Sequence, residues 1–326
     1  MTGLSDSFQR PIDYLRISVT DRCNLRCIYC MPAEGVRLMS HGDILSYEEI
    51  YAVAEAAAEL GINKVRITGG DPLVRAGLPE LVQMLAQIDT IDDISLTTNG
   101  VLLASYAAEL KQAGLRRVNV SLDTLKPDKF EYITRGSSPG DILKGINVAG
   151  SVGLNPIKIN MVVMSGVNDD ELLDFAAKTI TEGWHVRFIE YMPFGESTGA
   201  SPFISASDIM QRLEVLGKLE PCLHKMGNGP AKYFRLPQAK GTVGFITPVS
   251  EHFCFRCNRL RLTADGKLRP CLLSKDEIDL RQSLRNGMSP AELKRLIKEA
   301  VANKPLRHHL AEGCVPQDRP FSQVGG

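Results

Sequence analysis

The feature that most constrains the fold is a regular alternation of short apolar runs and helical patterns between Tyr14 and Tyr191. Strands that alternate with helices of about 10–15 residues indicate βαβ units and a parallel sheet. The predicted strands are Tyr14–Thr20, Lys64–Thr68, Asp93–Thr98, Arg117–Leu122, Ile157–Met164 and His185–Tyr191. The predicted helices are Ser46–Leu60, Leu78–Ile88, Ser105–Ala113, Asp141–Val152 and Asp169–Thr181. Six units, where a complete α/β barrel has eight, predict a partial (βα)6 TIM-like barrel that is open on one side.

The pattern changes after Tyr191. Residues 193–202 are rich in Gly, Ser and Pro and indicate a loop, which a predicted helix at Ser205–Leu216 follows. Ala264-Asp265-Gly266 has the composition of a hairpin turn, and further helices are predicted at Lys275–Leu284 and Pro290–Asn303. We therefore expect residues 1–200 to form the partial barrel and residues 201–326 to form a smaller α+β region that caps it.

Composition and charge exclude several classes of protein. The chain has 44% hydrophobic residues, with 38 basic and 38 acidic side chains, which is typical of a globular protein. Its zero formal charge disfavours a nucleic-acid binder, which would carry a basic excess. No apolar run reaches the roughly 18 residues of a membrane span, and the N-terminus does not resemble a signal peptide. We expect a cytoplasmic protein with no membrane or nucleic-acid partner.

The eight cysteines are the strongest functional signal. Cytosolic proteins rarely form disulfides, so clustered cysteines there more often bind metal or carry out redox chemistry. Six of them form two groups, Cys23/Cys27/Cys30 and Cys254/Cys257/Cys271. Each group is one ligand short of a closed four-thiolate zinc site, which leaves either an unseen fourth ligand or an open coordination position. Cys222, Cys314, His308 and His309 receive no predicted role.

The first group follows the first predicted strand, where α/β proteins gather their chemistry. Cys23-Asn24-Leu25-Arg26-Cys27-Ile28-Tyr29-Cys30 resembles the signature loop of radical S-adenosylmethionine (SAM) enzymes. The resemblance implies a [4Fe-4S] cluster held by the three cysteines, with SAM on its fourth iron. It also places the SAM contacts at Tyr29, Gly70, Ser121 and Met192. Gly70 belongs to Gly69-Gly70-Asp71-Pro72, in which Asp71 stands where that family usually has Glu.

The second group lies beside a concentration of basic residues. Arg256, Arg259, Arg261, Lys267 and Arg269 are accompanied by a single acidic residue, Asp265. Such a segment is usually a solvated surface, but arginines beside a cluster could also hold a polyanion through bidentate pairs. Spacing alone leaves structural zinc open, with His252 as a cramped fourth ligand.

Taken together, the two groups resemble the GTP 3',8-cyclase family of molybdenum cofactor biosynthesis over nearly the whole chain. The resemblance implies a second [4Fe-4S] cluster on Cys254, Cys257 and Cys271 that binds the guanine of GTP. It implies a GTP site formed by Arg16, Arg66, Thr97, Lys158, Arg259, Leu260 and Arg261. It also gives Arg261 and the terminal Gly325-Gly326 a role in catalysis.

The resemblance implies conversion of GTP to (8S)-3',8-cyclo-7,8-dihydroguanosine 5'-triphosphate, started by a 5'-deoxyadenosyl radical. An unidentified electron donor would reduce the first cluster. Cyclic pyranopterin monophosphate synthase would take the product, and a homodimer is one assembly that the sequence allows. Two alternatives stay open: a peptide-modifying radical SAM enzyme, whose auxiliary region usually has more cysteines, and a non-catalytic binding protein stabilised by zinc.

Overall fold

A computed structural model of the chain describes residues 3–136, 138–192, 202–222, 229–312, 319 and 321–324. The strands are β1 (Tyr14–Ser18), β2 (Lys64–Thr68), β3 (Asp93–Thr98), β4 (Arg117–Ser121), β5 (Lys158–Val163), β6 (His185–Glu190), β7 (Glu220–Pro221), β8 (Lys232–Arg235), β9 (Thr242–Ile246), β10 (Arg259–Leu262), β11 (Lys267–Arg269) and β12 (Ile278–Asp279). The helices are α1 (Tyr47–Glu59), α2 (Leu78–Ala86), α3 (Leu103–Gln112), α4 (Pro127–Thr134), α5 (Gly140–Ser151), α6 (Leu172–Thr181), α7 (Ala206–Leu213), α8 (Arg281–Arg285), α9 (Pro290–Ala302) and α10 (Phe321–Val324). None of the helices in these ranges has the length and apolar character of a membrane span.

All twelve strands belong to one sheet, in the order β12-β11-β10-β1-β2-β3-β4-β5-β6-β9-β8-β7. The six predicted strands lie side by side in sequence order and are parallel. Strand β10 adds in parallel to β1, and β9 adds in parallel to β6. Eight strands are therefore parallel, and the outer four are antiparallel additions. In the described residues no pairing between β9 and β10 closes the sheet, so an α/β architecture with an open sheet is confirmed.

The C-terminal region differs from the prediction in two respects. Its strands extend both edges of the main sheet and do not form a separate sheet over it. The helix predicted at Lys275–Leu284 is wrong in its first half, because Ile278 pairs with Leu268 as part of β12 and only Arg281–Arg285 is helical. The short helix α4 was not predicted. The hairpin at Asp265 and the helix over Pro290–Ala302 agree with the sequence.

Helix α1 shows how local sequence determines an element boundary. The Ser46 hydroxyl accepts a hydrogen bond from the Glu49 amide at 3.1 Å, and the Glu49 carboxylate accepts one from the Ser46 amide at 2.7 Å. This capping box satisfies two amides that the helix cannot satisfy itself, and such an N-cap is typically worth about 1 kcal/mol. Helix α1 packs against β1, α2 and α9, which links the C-terminal region to the first strand.

The two faces of the parallel sheet have opposite chemistry. Leu15 and Ile17 of β1 point into the hydrophobic core, on the side where α1, α2 and α6 cover the sheet. Arg16 lies on the other face and is nevertheless 8% exposed. Parallel sheets are usually apolar on both faces. A polar, charged and buried face is costly unless its groups find partners, which makes this face the place to look for a ligand.

Candidate functional site

Two adjoining cavities lie along this polar face, the first at the C-terminal ends of the strands and the second beside Tyr14, Arg16 and Arg66, nearer the beginning and middle of β1 and β2. The first contains Cys23, Cys27 and Cys30, and the second contains Cys254, Cys257 and Cys271. Four residues line both cavities, namely Thr97, Asn160, Ile189 and Met192. The sheet thus brings two groups of cysteines, more than 220 residues apart in sequence, to opposite ends of one continuous space.

The first cavity contains every residue that the sequence assigned to SAM. Tyr29, Gly70, Ser121 and Met192 all line it, together with the three cysteines. The loop that carries the cysteines is tied down by α4, since the amides of Arg26 and Ile28 donate to the carbonyls of Thr134 and Ile133 at 2.9 Å each. Helix α4, which the sequence did not predict, therefore supports the cysteine loop.

Gly70 is required by the close approach of two backbone segments. A Cβ atom at this position would lie 2.2 Å from the carbonyl oxygen of Arg22. The amides of Gly70 and Asp71 donate to the carbonyls of Thr20 and Arg22, both at 2.8 Å. The glycine-rich segment is thus held against the entrance to the cysteine loop.

Asp71, at the position where the family resemblance implies Glu, is a structural acceptor. It is 1% exposed and accepts hydrogen bonds from the Thr98 hydroxyl at 2.8 Å and the Asn99 amide at 2.6 Å. The Asn99 side chain in turn lies 3.6 Å from the Cys23 sulfur. Asp71 therefore organises the loop after β3, and burial raises its pKa to about 6.

A second buried carboxyl group faces the cysteine loop. Asp123 accepts from the Tyr29 hydroxyl at 2.7 Å and from the Val162 amide at 2.8 Å. Burial raises the pKa of Asp123 to about 6, although both hydrogen bonds oppose the shift. Tyr29 is therefore anchored by its hydroxyl group, with its ring at the wall of the cavity.

The thiols of the first group lie in surroundings that disfavour their charged form. Burial is the largest cause, and it raises the pKa of Cys23 to about 11 and that of Cys30 to about 12. Asp123 adds to the effect of burial on Cys27, whose pKa is also raised. The amides of Leu25 and Ser322 donate to the sulfurs of Cys23 and Cys30, respectively. Three thiols that line one cavity, two of which accept hydrogen bonds from backbone amides, fit a [4Fe-4S] cluster, whose properties depend on such bonds.

The second cavity contains a row of positive charges. Arg66, Arg16 and Arg261 are paired across β2, β1 and β10, and all three line this cavity. Like charges in cross-strand register destabilise a sheet. Burial lowers the pKa of Arg66 to about 10 and that of Arg261 to about 9, with the neighbouring guanidinium groups adding to the shift. An anion bound in the cavity would relieve this repulsion.

Charge also surrounds the second group of thiols. Burial alone would raise the pKa of Cys257, but Arg259 and Lys304 outweigh it and lower the pKa to about 6. The Arg259 guanidinium lies 3.5 Å from the Cys257 sulfur. Lys304, which is 3% exposed, donates to the carbonyls of Arg259 at 2.8 Å and Pro270 at 2.5 Å. Its ammonium group therefore joins the segments that carry Cys257 and Cys271.

Arg10 supports the same site from behind. It is 5% exposed, pairs with Asp6 at 2.5 Å and donates to the Cys254 carbonyl at 2.7 Å. It also binds the carbonyls of Pro305 and Leu306.

Within the described ranges, no three His, Cys, Asp or Glu side chains converge as they would around a single metal ion.

Several buried polar atoms around the second cavity have no protein partner. In the described residues these include the Tyr14 hydroxyl, Thr97 Oγ1, Asn160 Oδ1 and Arg187 Nε. Buried polar groups are normally hydrogen-bonded, so unpaired ones in a cavity indicate a polar ligand or ordered water. Donors, acceptors and guanidinium groups together fit a ligand with both a heterocycle and several anionic oxygens.

Not every predicted contact reaches the second cavity. Arg16, Arg66, Thr97, Arg259 and Arg261 line it. Lys158 lies at the start of β5 with its ammonium group 5.8 Å from the centre of the Tyr233 ring, and it does not line the cavity. Burial, with Arg187 as the next cause, lowers its pKa to about 6. The side chain of Leu260 points into the hydrophobic core, which leaves only its backbone for a ligand.

Gly325, Gly326 and Cys314 lie outside the described residues, but Phe321 and Ser322 of α10 line the first cavity. Cys222 lines neither cavity.

Sequence reasoning missed Tyr14, Asn160, Arg187 and Lys304 as lining residues of the second cavity. Asn160 could have been found, because it lies two residues after Lys158 on β5 and therefore faces the same side of the sheet. Arg187 could also have been found, because it is paired with Asn160 on the neighbouring strand β6. Lys304 lies just after α9, in a segment with no motif to mark it.

Comparisons with known proteins agree with this geometry. Residues 17–178 match the model of the radical SAM superfamily, and residues 184–310 match the model described as Molybdenum Cofactor Synthesis C. A GTP 3',8-cyclase from Pelotomaculum thermopropionicum is 55% identical over 99% of this chain and 100% of its own length. The GTP 3',8-cyclase of Moorella thermoacetica is 52% identical, with the same coverage.

Solved structures support the fold alone because their sequences are distant. Streptococcus suis SuiB covers 92% of this chain and 68% of its own, with a TM-score of 0.61 and 14% identity. The same protein bound to S-adenosylmethionine gives a TM-score of 0.60 at 15% identity, covering 92% of this chain and 77% of its own. The full-length relatives, both family models and the two cysteine cavities lead to one conclusion: the chain belongs to the GTP 3',8-cyclase family of radical SAM enzymes.

Proposed function

We propose that this chain converts GTP to (8S)-3',8-cyclo-7,8-dihydroguanosine 5'-triphosphate, an early step of molybdenum cofactor biosynthesis. The observation that carries the proposal is the pair of adjoining cavities, of which one has three thiols and buried carboxyl groups and the other has three thiols and a row of arginines. A reaction that joins C3' of the ribose to C8 of the guanine needs the base and the sugar held in one orientation, which is achieved by fixing the guanine at one end of the substrate and the triphosphate at the other. The second cavity has groups for both ends.

The first cavity fits a [4Fe-4S] cluster on Cys23, Cys27 and Cys30 with SAM beside Tyr29, Gly70, Ser121 and Met192. When bound, these groups supply the radical that removes a hydrogen atom from the substrate. The contribution of the chain is placement and exclusion of water. Tyr29 is fixed by Asp123, and the backbone of Gly70 is fixed by the loop after β1.

The second cavity fits a second [4Fe-4S] cluster on Cys254, Cys257 and Cys271, with GTP as its ligand. Arg16, Arg66, Arg259 and Arg261 would neutralise the triphosphate through charge-assisted hydrogen bonds. Thr97 has a buried hydroxyl without a protein partner and would bind the nucleoside. The backbone of Leu260 and the ammonium group of Lys158 complete the proposed contacts, with Lys158 more remote than the sequence suggested.

The proposed division of labour follows the two sequence regions. Residues 1–200 would form the SAM-binding part of a partial barrel, and residues 201–326 would supply the second cluster and much of the GTP site. Strands from both edges of the sheet line the second cavity, among them β9 through Ile246 and β10 through Arg259, which supports curvature of the sheet around it.

Three further elements of the proposal concern catalysis and partners. Arg261 lines the second cavity and would assist catalysis there, and the terminal Gly325-Gly326, which lie outside the described residues, would also take part in catalysis. A one-electron donor would reduce the first cluster, and cyclic pyranopterin monophosphate synthase would receive the product. The proposed location is the cytoplasm, a reducing compartment in which the seven cysteines of the described ranges would stay free of disulfides, as they are in the structure. The assembly to test first is a homodimer.

Anaerobic incubation of the iron- and sulfide-reconstituted protein with SAM, a reductant and GTP tests the proposal. We expect 5'-deoxyadenosine and a cyclised nucleotide to form together, with both dependent on GTP. Formation of 5'-deoxyadenosine without any cyclised nucleotide would refute the substrate, and a protein that retained zinc but no iron would refute the enzyme.

A further inference from the structure

The last described segment of the chain is held by an ion-pair clamp that the proposed chemistry does not use. Arg319 donates to both carboxylate oxygens of Asp265, with Nη1 at 3.1 Å from one and Nη2 at 2.9 Å from the other. It also pairs with Glu277, through Nη2 at 3.0 Å and Nε at 2.8 Å. The three side chains are only 13–17% exposed. We call this set of three side chains the Arg319 clamp.

The clamp is attached to a rigid part of the molecule. Asp265 lies in the turn between β10 and β11 and accepts from the Thr263 hydroxyl at 2.6 Å. The same turn is fixed by a hydrogen bond from the Leu45 amide to the Ala264 carbonyl at 2.9 Å. Glu277 also pairs with the buried Arg269 at 3.0 Å. The carboxylates are therefore positioned before Arg319 binds them, and ordering costs little further entropy.

The residues that follow the clamp form a wall of the first cavity. Phe321 and Ser322 line it, and the Ser322 amide donates to the Cys30 sulfur. Ser322 and Val324 are buried, with 1% and 3% exposure. A four-residue helix does not hold such a position by its own hydrogen bonds, since helices this short are marginal. Anchoring it nearby raises its effective concentration at the cavity.

We infer that Arg319 is a positioning residue that holds α10 against the first cavity by binding Asp265 and Glu277. The clamp links the hairpin that carries Arg259 and Arg261 to the wall beside Cys30, so both cavities depend on one attachment. Its loss would free α10, remove the Ser322–Cys30 hydrogen bond and admit water to the first cavity. The inference rests on the proposed function in one respect: the expected rise in 5'-deoxyadenosine formed per cyclised nucleotide requires that the protein makes both products.

The matched control is Arg295, which forms the same kind of double pair on the surface of α9. It binds Glu292 at 2.8 Å and Glu299 at 3.0 Å, but its side chain is 59% exposed and lines neither cavity. Arg295→Ala removes an equal charge and an equal number of carboxylate partners without touching the clamp.

The experiment compares Arg319→Ala, Arg319→Lys and Arg295→Ala in the full-length, anaerobically reconstituted protein. Hydrogen exchange of residues 319–326 is measured by mass spectrometry, together with iron content and the ratio of 5'-deoxyadenosine to cyclised nucleotide. In Arg319→Ala we expect exchange at least tenfold faster in this segment, unchanged iron, and a ratio at least threefold higher. Arg319→Lys should restore part of the protection, because it keeps the charge but not the fork. Arg295→Ala should match the unmodified protein in every measurement.

Exchange of residues 319–326 that stays within twofold of the unmodified protein in Arg319→Ala would overturn the inference. If Arg319→Ala does not fold, Asp265→Asn removes one charged partner of the clamp, and the same exchange criterion applies. If the unmodified protein makes no cyclised nucleotide, the proposed function fails, while the exchange measurement still decides whether the clamp exists.

Discussion

The two three-cysteine sites have the same number of thiols and opposite electrostatic surroundings. Around the first, the acidic neighbours include Asp71 and Asp123, whose pKa values burial raises to about 6. Around the second, the charged neighbours are Arg259, Arg261 and Lys304. Burial raises the pKa of Cys30 to about 12 in the first site, whereas cations lower that of Cys257 to about 6 in the second.

This contrast indicates which ligand each site favours. Opposite charges attract more strongly in a buried site than in water, so carboxylates favour a cationic ligand and guanidinium groups favour an anionic one. SAM carries a sulfonium group and GTP carries a triphosphate. The cysteine spacing predicts an open ligand position at each site, and the surrounding charges favour the proposed assignment of SAM to the first site and GTP to the second.

The largest expected effect comes from removing one thiol from each site, which should affect SAM cleavage and cyclisation differently at the two sites. Cys27→Ala should abolish both SAM cleavage and cyclisation, whereas Cys257→Ala should abolish cyclisation and leave SAM binding in place. Iron content should fall by half in each variant. Cys222→Ala, a described cysteine that lines neither cavity, is the control and should have full activity. Full cyclisation by Cys257→Ala would remove the second site from the reaction.

The next effect tests the buried cation of the second site. Lys304→Met leaves the carbonyls of Arg259 and Pro270 without their donor, at a cost of about 1–3 kcal/mol for each. We expect the iron of the second site to be lost, that of the first to be retained, and Tm to fall by roughly 5–10 °C. Lys298→Met on the exposed side of α9 should change neither quantity. Complete iron content in Lys304→Met would show that the cation does not support the site.

A smaller effect is expected from the row of arginines. Arg66→Gln should raise the KM for GTP about 10- to 100-fold, the equivalent of one or two charge-assisted hydrogen bonds. Without GTP the variant should be no less stable than the unmodified protein, because Gln removes a positive charge that is in register with Arg16. Steady-state kinetics and thermal melting measure the two outcomes. A large drop in Tm without a change in KM would assign Arg66 to structure alone.

The smallest effect concerns the first site. Tyr29→Phe removes the hydroxyl donor of Asp123, which keeps its bond from the Val162 amide. We expect SAM binding, measured anaerobically by equilibrium dialysis, to weaken about 2- to 10-fold. Tyr132→Phe, at a tyrosine that is 62% exposed, is the control. An unchanged Kd in Tyr29→Phe would mean that the ring alone, without its anchor, forms the contact.

The sequence predicted the part of the molecule that has a local pattern. All six predicted strands exist, because each alternating run contains the signal for its own conformation and face. The capping box at Ser46 and the hairpin at Asp265 are local as well. The family resemblance located the cysteines of both groups and the arginines of the proposed GTP site, and their side chains all line the two cavities. Two other predicted contacts do not: Lys158 lies outside the second cavity, and the side chain of Leu260 lies in the core.

What could not be predicted depends on contacts between distant segments. Arg10 binds the Cys254 carbonyl 244 residues away, and Lys304 binds Pro270. Neither residue belongs to a motif, because a cation that binds backbone carbonyls requires no particular side-chain neighbours. The sequence predicts helix at Ile278–Asp279, whereas the structure has a strand there, because these two residues become a strand only through pairing with β11.

The order of the sheet has a consequence for synthesis of the chain. Strand β10 pairs with the outer edge of β1, and β9 pairs with the outer edge of β6. Both edges of the sheet formed by β1 to β6 therefore stay unpaired until these later strands have been synthesised. The ribosome adds about 70 residues, which takes several seconds, between the end of β6 and the end of β10. Until β9 is made, both edges have free amides and carbonyls that are open to pairing with other chains, and the β1 edge stays open until β10 is made. We expect the nascent protein to need a chaperone in this interval, and a fragment that ends after β6 to aggregate.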